Sequence, residues 1–132
     1  MVDLAAILVV EDDTLIQSLV EEALSDGGFE IVISASGENA AELLRGSAAK
    51  FRAVVTDIDL GRDKLDGWEV ARLAREINPT FPVVYMSGSS AEDWASKGVP
   101  HSVMIAKPFA PAQLVTAVAQ LLNAIPPTAP DK

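Results

Sequence analysis

Short apolar runs alternate along this chain with longer stretches in which apolar residues recur every three or four positions. The first run, residues 7–10, is typical of a buried strand because it contains only Ile, Leu and Val and stops at an acidic cluster. Residues 14–25 then carry apolar side chains at helical spacing, which predicts an amphipathic helix that Gly27 and Gly28 end. A strand followed by a helix is therefore the first predicted unit.

The same alternation continues to residue 125. Further strands are predicted over residues 29–35, 51–56, 82–86 and 102–106, and further helices over residues 37–45, 67–77, 91–97 and 111–125. Ser36 suits the N-cap of the second helix, and Gly46 suits its end. Five strands that alternate with five helices predict an α/β protein with one parallel sheet.

Four of the predicted strands stop at side chains with complementary chemistry. In chain order these are the acidic cluster Glu11, Asp12 and Asp13, followed by Asp57, Ser87 and Lys107. Parallel strands present their carboxyl ends at one edge of the sheet, which is where open α/β folds bind their ligands. We therefore expect the carboxylates, the hydroxyl and the ammonium to meet at one place.

Composition narrows the classes of function. At 132 residues the chain suits one domain with its own core, and every apolar run is far shorter than the roughly 20 residues of a membrane-spanning helix. The sequence has no cysteine and no signal-peptide pattern at its start, so the cytoplasm is the expected location. A formal net charge of −9 argues against direct binding of nucleic acid, which requires a basic face.

The groups at the predicted sheet edge are those that phosphoryl transfer requires. Crowded carboxylates raise each other's pKa unless a cation lies between them, and hard oxygen ligands suit Mg²⁺. The transfer calls for a metal, a fixed ammonium and a hydroxyl around the moving group. Asp12, Lys107 and Ser87 supply these parts. Asp57 then remains as a nucleophile for aspartyl-phosphate chemistry.

Each of these residues also has a structural interpretation when it is taken alone. Acids at positions 11–13 are favoured in the first turn of a helix, and a lone Asp57 or Ser87 at a strand end is usually part of a turn. Lys107 before a proline would ordinarily be a solvated surface lysine. Only the occurrence of all of them at the ends of parallel strands favours a functional site.

Five motifs resemble the receiver domain of bacterial two-component response regulators. They are, in chain order, VVEDD at residues 9–13, VVTD at 54–57, DG at 66–67, MSG at 86–88 and KPF at 107–109. The resemblance covers nearly the whole chain. It implies a flavodoxin-like (βα)5 three-layer sandwich whose five-stranded parallel sheet has the order 2-1-3-4-5.

The resemblance also assigns a role to each site residue. Asp57 would be the phosphoacceptor, charged by a histidine kinase or a histidine phosphotransfer protein, and the protein would hydrolyse its own acyl phosphate. Asp12 and Asp57 would bind Mg²⁺ or Mn²⁺ together with the backbone carbonyl of Asp59, and Glu11 would hold the metal's waters. Ser87 would donate a hydrogen bond to the phosphoryl group. Lys107 would pair with its charge.

Two features depart from the family pattern. Met104 occupies the position, three residues before Lys107, where the family commonly has an aromatic side chain that reports phosphorylation. We therefore expect any switch to run through Ser87, the loop after it and the short helix near Trp94, or to be read mainly at other surfaces. The loop over residues 58–65 is long and charged, and we expect Arg62 or Lys64 to approach the phosphoryl group.

Two other functions compete with the phosphorylated receiver. Asp57 and Asp59 form a DxD pair like that of haloacid-dehalogenase-type phosphatases, in which the second Asp is a general acid. That family places the pair on its first strand and needs acidic metal ligands after its lysine, whereas here the acids precede Asp57 and no acid follows Lys107 before Asp131. The other alternative is a receiver-like binding module that takes no phosphate.

The expected organisation is a receiver domain over residues 1–125, followed by a proline-rich tail or the start of a linker over residues 126–132. The sequence carries no DNA-binding output domain, so its downstream partner is expected to be a protein. A stand-alone regulator and a receiver cut from a larger protein fit equally well. The face of the last two helices is a candidate surface for a homodimer.

Overall fold

Five strands form the centre of the computed structural model, which describes residues 6–61, 64–89 and 91–124. They are β1 (Ala6–Val10), β2 (Ile31–Ser34), β3 (Phe51–Asp57), β4 (Val83–Ser87) and β5 (Val103–Ala106). All pair in parallel in the order β2-β1-β3-β4-β5. The predicted α/β, flavodoxin-like fold with sheet order 2-1-3-4-5 is confirmed.

Helices cover both faces of this sheet. They are α1 (Thr14–Asp26), α2 (Gly37–Ser47), α3 (Gly67–Ile77), α4 (Trp94–Lys97) and α5 (Pro111–Ala124), with 3-10 helices at Ala48–Lys50 and Ala91–Asp93. In the part of the chain that the structure describes, no helix has the length and apolar character that crossing a membrane would require. The predicted proline-rich tail lies outside the described residues.

Alternation along each strand divides the core into two layers. In β1, Leu8 and Val10 pack with α2 and α3, whereas Ile7 and Val9 pack with α1 and α5. All four side chains are fully buried. Because both faces of the central strands are covered, their interiors are apolar apart from Tyr85 of β4, and their other polar residues lie near the strand ends.

Helix starts follow the predicted cap residues, but two predicted boundaries are wrong. The Ser36 hydroxyl accepts from the Asn39 N–H at 3.0 Å and so caps α2. That helix does not end at Gly46 but continues to Ser47, because glycine inside a helix costs only about 1 kcal/mol. The strand predicted over residues 29–35 is shorter, since β2 is an edge strand that pairs only with Ile7–Val10 of β1.

The predicted helix over residues 91–97 is also divided. A 3-10 helix at Ala91–Asp93 precedes the single turn of α4, and neither contains a buried residue. A helix without an apolar face has no core to pack against, and packing is what stabilises most protein helices. One specific contact that holds this segment is the hydrogen bond from the Trp94 indole N–H to Ser102 Oγ, directly before β5.

Candidate functional site

Lys107, at the end of β5, joins the two buried acids of the sheet edge. Its Nζ lies 2.9 Å from Glu11 Oε1 and 3.2 Å from Asp57 Oδ1. Carboxylate oxygens of Glu11, Asp12 and Asp57 all lie within 4.8 Å of one another. The carboxyl ends of β1, β3 and β5 thus bring together the acids and the ammonium that the strand pattern placed there.

Glu11 is held in place on all sides. It is 1% exposed, and its Oε2 accepts a hydrogen bond from the Asp13 N–H at 3.1 Å. The Gln17 side chain of α1 donates to the Glu11 carbonyl at 2.6 Å. Burial raises the pKa of Glu11 above its ordinary value, although the hydrogen bond from Lys107 opposes this rise. Glu11 is therefore a fixed part of the site.

Asp57 is the most strongly perturbed acid of the site. It is 5% exposed, and burial raises its pKa from 3.8 to about 6. The negative charge of Glu11 adds to this rise, and the nearby Lys107 ammonium opposes it. The carboxylate is therefore ionised at neutral pH in a place where its charge is poorly solvated. Such a group is a candidate nucleophile and metal ligand.

The ammonium of Lys107 keeps its charge in this setting. Burial acts to lower the pKa of Lys107, but the hydrogen bond to Glu11 and the charges of Asp57 and Glu11 raise it above its ordinary value. The Lys107 N–H also donates to the Ser87 carbonyl at 2.8 Å, which joins the ends of β4 and β5. The cation is thus fixed by its backbone as well as by its ion pairs.

Ser87 and Asp12 complete the set of predicted site residues. Ser87, the last residue of β4, is 1% exposed, and its Oγ accepts from the Ser89 N–H at 3.2 Å. Asp12 is exposed, so its carboxylate faces solvent on the open side of the cluster. The site therefore consists of the buried residues Glu11, Asp57 and Ser87 and of one solvent-exposed acid, Asp12, at its opening.

Asp13 has a different role from its two acidic neighbours. Its carboxylate accepts hydrogen bonds from the N–H groups of Leu15, at 2.8 Å, and Ile16, at 3.4 Å. It is the N-cap of α1. Of the three acids, Asp13 therefore has the helix-capping role that acids at a helix start usually have. Glu11 and Asp12 instead lie together with Asp57.

The donor set fits a hard divalent cation. Three carboxylates share the site with one ammonium, so the cluster carries an excess of negative charge. Mg²⁺ is bound in proteins by one or two carboxylates and keeps several waters, and an exposed acid at the mouth leaves room for them. A bound cation would oppose both the burial, which is the largest cause of the raised pKa of Asp57, and the repulsion from Glu11 that adds to it.

The loop after β3 is anchored close to Asp57. Ile58 and Leu60 are buried, and the Asp59 carboxylate accepts from the Ser89 hydroxyl at 3.3 Å. The pKa of Glu38 on α2 is lowered mainly by the hydrogen bond from the Leu65 N–H, and the charge of the exposed Lys64 adds to this lowering. Arg62, which we expected to approach the phosphoryl group, lies outside the described residues.

Sequence reasoning missed a polar chain beside β4. The Trp94 indole N–H donates to Ser102 Oγ at 2.9 Å, and this hydroxyl donates to the Val99 carbonyl at 2.6 Å. The Val99 N–H in turn donates to the Tyr85 hydroxyl at 3.1 Å. Tyr85 is fully buried and packs against Trp68 with ring centroids 4.8 Å apart. A tyrosine inside an otherwise apolar strand was the signal that could have found it.

Comparison with protein families and curated proteins agrees with this geometry. Residues 7–119 match the family described as the response regulator receiver domain. Transcriptional regulatory protein PrrA of Mycobacterium tuberculosis is 33% identical over 89% of this chain and 49% of its own length. Sensor kinase CckA of Brucella abortus is 29% identical over 90% of this chain. This chain covers 13% of that kinase and between 49% and 56% of the next three relatives.

Solved structures show the same architecture along nearly their full length. The crystal structure of a response regulator receiver protein from Sinorhizobium medicae has a TM-score of 0.87 and 48% identity. The match covers 92% of this chain and 97% of that one. The receiver domain of NtrX from Brucella abortus has a TM-score of 0.80 and 30% identity, with 90% and 99% of the two chains covered.

Proposed function

The chain belongs to the response regulator receiver domain family, and we propose that its Asp57 accepts a phosphoryl group from a histidine kinase or a histidine phosphotransfer protein. The observation that carries this proposal is the buried Asp57 carboxylate, which has a raised pKa and lies 3.2 Å from the Lys107 ammonium. Asp57 Oδ would attack phosphorus while the phosphorus–nitrogen bond to the donor imidazole breaks. Water would later hydrolyse the acyl phosphate.

Each residue around Asp57 has a place in this reaction. Lys107 would move its charge from Asp57 to the phosphoryl oxygens, and the buried Ser87 hydroxyl would donate to one of them. Asp12, Asp57 and the backbone carbonyl of Asp59 would bind Mg²⁺ or Mn²⁺, with Glu11 hydrogen-bonded to its waters. The bound cation would supply neutralisation of the phosphoryl charge.

Intact-mass measurement tests the proposal. We expect the protein to gain one phosphoryl group when it is incubated with Mg²⁺ and a small phosphodonor, and to gain none when EDTA is added. Asp57→Asn should gain none, because an amide is not a nucleophile of this kind. A variant Asp57→Asn that still gains the mass would overturn the assignment.

The same experiment separates the phosphatase alternative. Asp59→Asn changes an acid two residues from Asp57 whose side chain contacts Ser89. It should still take up the phosphoryl group, because only its backbone carbonyl is assigned to the site. Turnover of an external phosphate ester that disappears in Asp59→Asn would instead support a haloacid-dehalogenase-type enzyme.

Phosphorylation is proposed to change affinity for a downstream protein partner through the Trp94 side of the molecule. Tyr85 and Ser87 point to the same face of β4 because they are two residues apart. A shift of Ser87 would therefore be passed to Tyr85, and from there along the hydrogen bonds to Trp94. In a Trp68→Phe background, emission of Trp94 should change on phosphorylation. An unchanged emission spectrum in fully phosphorylated protein would exclude this route.

A homodimer through the last two helices is also part of the proposal. Helix α5 contains no charged residue although the whole chain has a net charge of −9, and its Thr116 and Gln120 border a groove with Met104 of β5. An uncharged face is where two acidic copies approach with least repulsion. Sedimentation should show a dimer that Thr116→Glu dissociates.

The cytoplasm is proposed as the location, as the absence of cysteine suggests.

A further inference from the structure

The two ends of the loop between β3 and α3 (residues 58–66) meet beside the phosphoacceptor Asp57. The Gly67 N–H donates to the Ile58 carbonyl at 2.9 Å, which joins the two ends of the loop. Gly67 also lies so close to the Asp57 carbonyl that a Cβ atom at this position would overlap it. A displacement of Leu65 or Asp66, which come just before Gly67, would therefore act on the backbone at Asp57 and Ile58.

Helix α2 holds this loop from outside the site. The Glu38 carboxylate accepts a hydrogen bond from the Leu65 N–H at 2.9 Å, across 27 positions of sequence. The residue before it, Gly37, lies against the Leu65 carbonyl in a contact that leaves no space for a Cβ atom. The two adjacent residues thus grip the loop at one residue, through the N–H and the C=O of Leu65.

Helix formation alone does not explain the contact between Glu38 and the loop. An acid in the first turn of a helix is favoured by the helix dipole alone. For Glu38, however, the largest cause of its lowered pKa is the hydrogen bond from the Leu65 N–H, ahead of that from its own backbone. Glu38 is exposed, so its side chain contributes little to core packing.

The helix behind this grip is a rigid support. Ala40, Ala41 and Leu44 of α2 are fully buried against the sheet. The loop itself inserts Leu60, which is 3% exposed, into the same core layer. Leu65 lies two residues before Gly67, whose N–H is bonded to the Ile58 carbonyl, so the position of Leu65 bears on the backbone between Asp57 and Asp59.

We propose that Glu38 and Gly37 are positioning residues for the metal-binding edge of the site. By holding Leu65, they keep the loop in the position in which the Asp59 carbonyl and the Asp57 carboxylate can bind one cation. This inference rests on the proposed function, since it takes the Asp59 carbonyl as a metal ligand. It assigns a role to α2, which contributes no residue to the phosphoryl chemistry itself.

Mn²⁺ binding measures the effect without any phosphorylation step. Glu38→Ala removes the acceptor and should raise the Kd for Mn²⁺ about threefold, which is the effect of one modest hydrogen bond. Glu38→Gln keeps an oxygen that can accept from the Leu65 N–H, so it should restore the wild-type Kd. Glu42→Ala is the matched control, because Glu42 is an exposed acid on the same helix without a described hydrogen bond.

Hydrogen exchange at the Leu65 amide reports the grip separately. The amide should exchange faster in Glu38→Ala and at the wild-type rate in Glu38→Gln and Glu42→Ala. Gly37→Ala, which places a methyl group against the Leu65 carbonyl, should displace the loop and raise the Kd for Mn²⁺ even though alanine favours the helix. Thermal unfolding of each variant shows that it is folded.

The outcomes distinguish this inference from the function on which it rests. If wild-type protein binds no Mn²⁺ at millimolar concentration, the metal-dependent function fails and the positioning role fails with it. If the wild type binds Mn²⁺ and both Glu38→Ala and Gly37→Ala bind it equally well, only the positioning role is overturned. Equal weakening by Glu38→Ala and Glu38→Gln would also overturn it, because charge rather than the hydrogen bond would then be responsible.

Discussion

The sheet edge around Asp57 and the polar chain from Tyr85 to Trp94 both bury polar groups, but they do so in opposite ways. At the sheet edge, three carboxylates face one ammonium. Along the polar chain every group is neutral, and successive donors and acceptors pair at 2.6 to 3.1 Å. The sheet edge therefore carries more negative than positive charge, whereas the polar chain carries no charge.

This difference determines what each region responds to. Buried charges of one sign interact strongly, so the sheet edge depends on pH, on a bound cation and on any group that joins Asp57. A neutral chain of hydrogen bonds does not respond directly to pH or to a bound cation, but it breaks when one member is removed. The first region is therefore suited to sensing a phosphoryl group, and the second to passing a shift of Ser87 to the segment around Trp94.

The largest expected effect comes from removing the Lys107 ammonium from the sheet edge. Lys107→Met leaves Glu11 and Asp57 buried together without a counter-charge, which should lower the free energy of unfolding by about 4 kcal/mol in metal-free buffer at pH 7. Urea unfolding measures it, with Lys97→Met at an exposed position as the control. A loss no greater than that of the control would mean that the sheet edge is not short of positive charge.

Neutralising Asp57 should instead raise the free energy of unfolding, and the size of this gain should depend strongly on pH. Its pKa in the folded state is about 6, above the ordinary 3.8, so the folded protein binds the extra proton and loses stability as pH rises between these values. The shift corresponds to roughly 3 kcal/mol. Asp57→Asn should therefore be more stable than wild type at pH 7 in EDTA, and the difference should vanish below about pH 4.

Urea unfolding from pH 4 to pH 8, with and without Mg²⁺, checks this prediction. A cation at the site favours the ionised carboxylate, so Mg²⁺ should reduce the advantage of Asp57→Asn at pH 7. Parallel stability curves for the two proteins across the pH range would show that the Asp57 charge costs nothing in the folded state.

The smallest effect is expected in the neutral chain. Tyr85→Phe removes the acceptor of the Val99 N–H and leaves that group buried without its partner, which should cost about 1.5 kcal/mol. Unlike the two changes at the sheet edge, this loss should be the same at pH 5 and pH 8 and in Mg²⁺ or EDTA. A loss that varies with Mg²⁺ would show that the two regions are already coupled before phosphorylation.

Local signals predicted the elements and most of their boundaries. Ser36 caps α2 as expected, and Asp66 starts α3 with a capping box whose second member is Glu69. The prediction that Gly46 ends α2 is wrong because propensity is a weak local preference that packing of Leu44 against the sheet outweighs. Boundaries are therefore less predictable than the elements, since tertiary contacts decide them.

Among the acids of the first motif, only the structure distinguishes the roles. Asp13 turns to cap α1, while Glu11 turns into the core and meets Lys107, which is 96 positions away in sequence. Sequence patterns show that three acids follow β1, but side-chain direction depends on where the helix begins and on what faces each carboxylate. The same limit applies to Glu38, whose partner Leu65 lies on a loop that only the folded chain brings near.

The sequence by itself determined the succession of strands and helices along the chain and which strand ends carry acid, hydroxyl and ammonium. Both follow from the periodicity of apolar residues and from the rule that parallel strands end at one edge. Only the tertiary structure decided the ion pairs of Lys107, the chain from Tyr85 to Trp94 and the grip of Glu38 on the loop. These depend on distances between residues far apart in sequence, which become defined only when burial fixes each side chain in one direction.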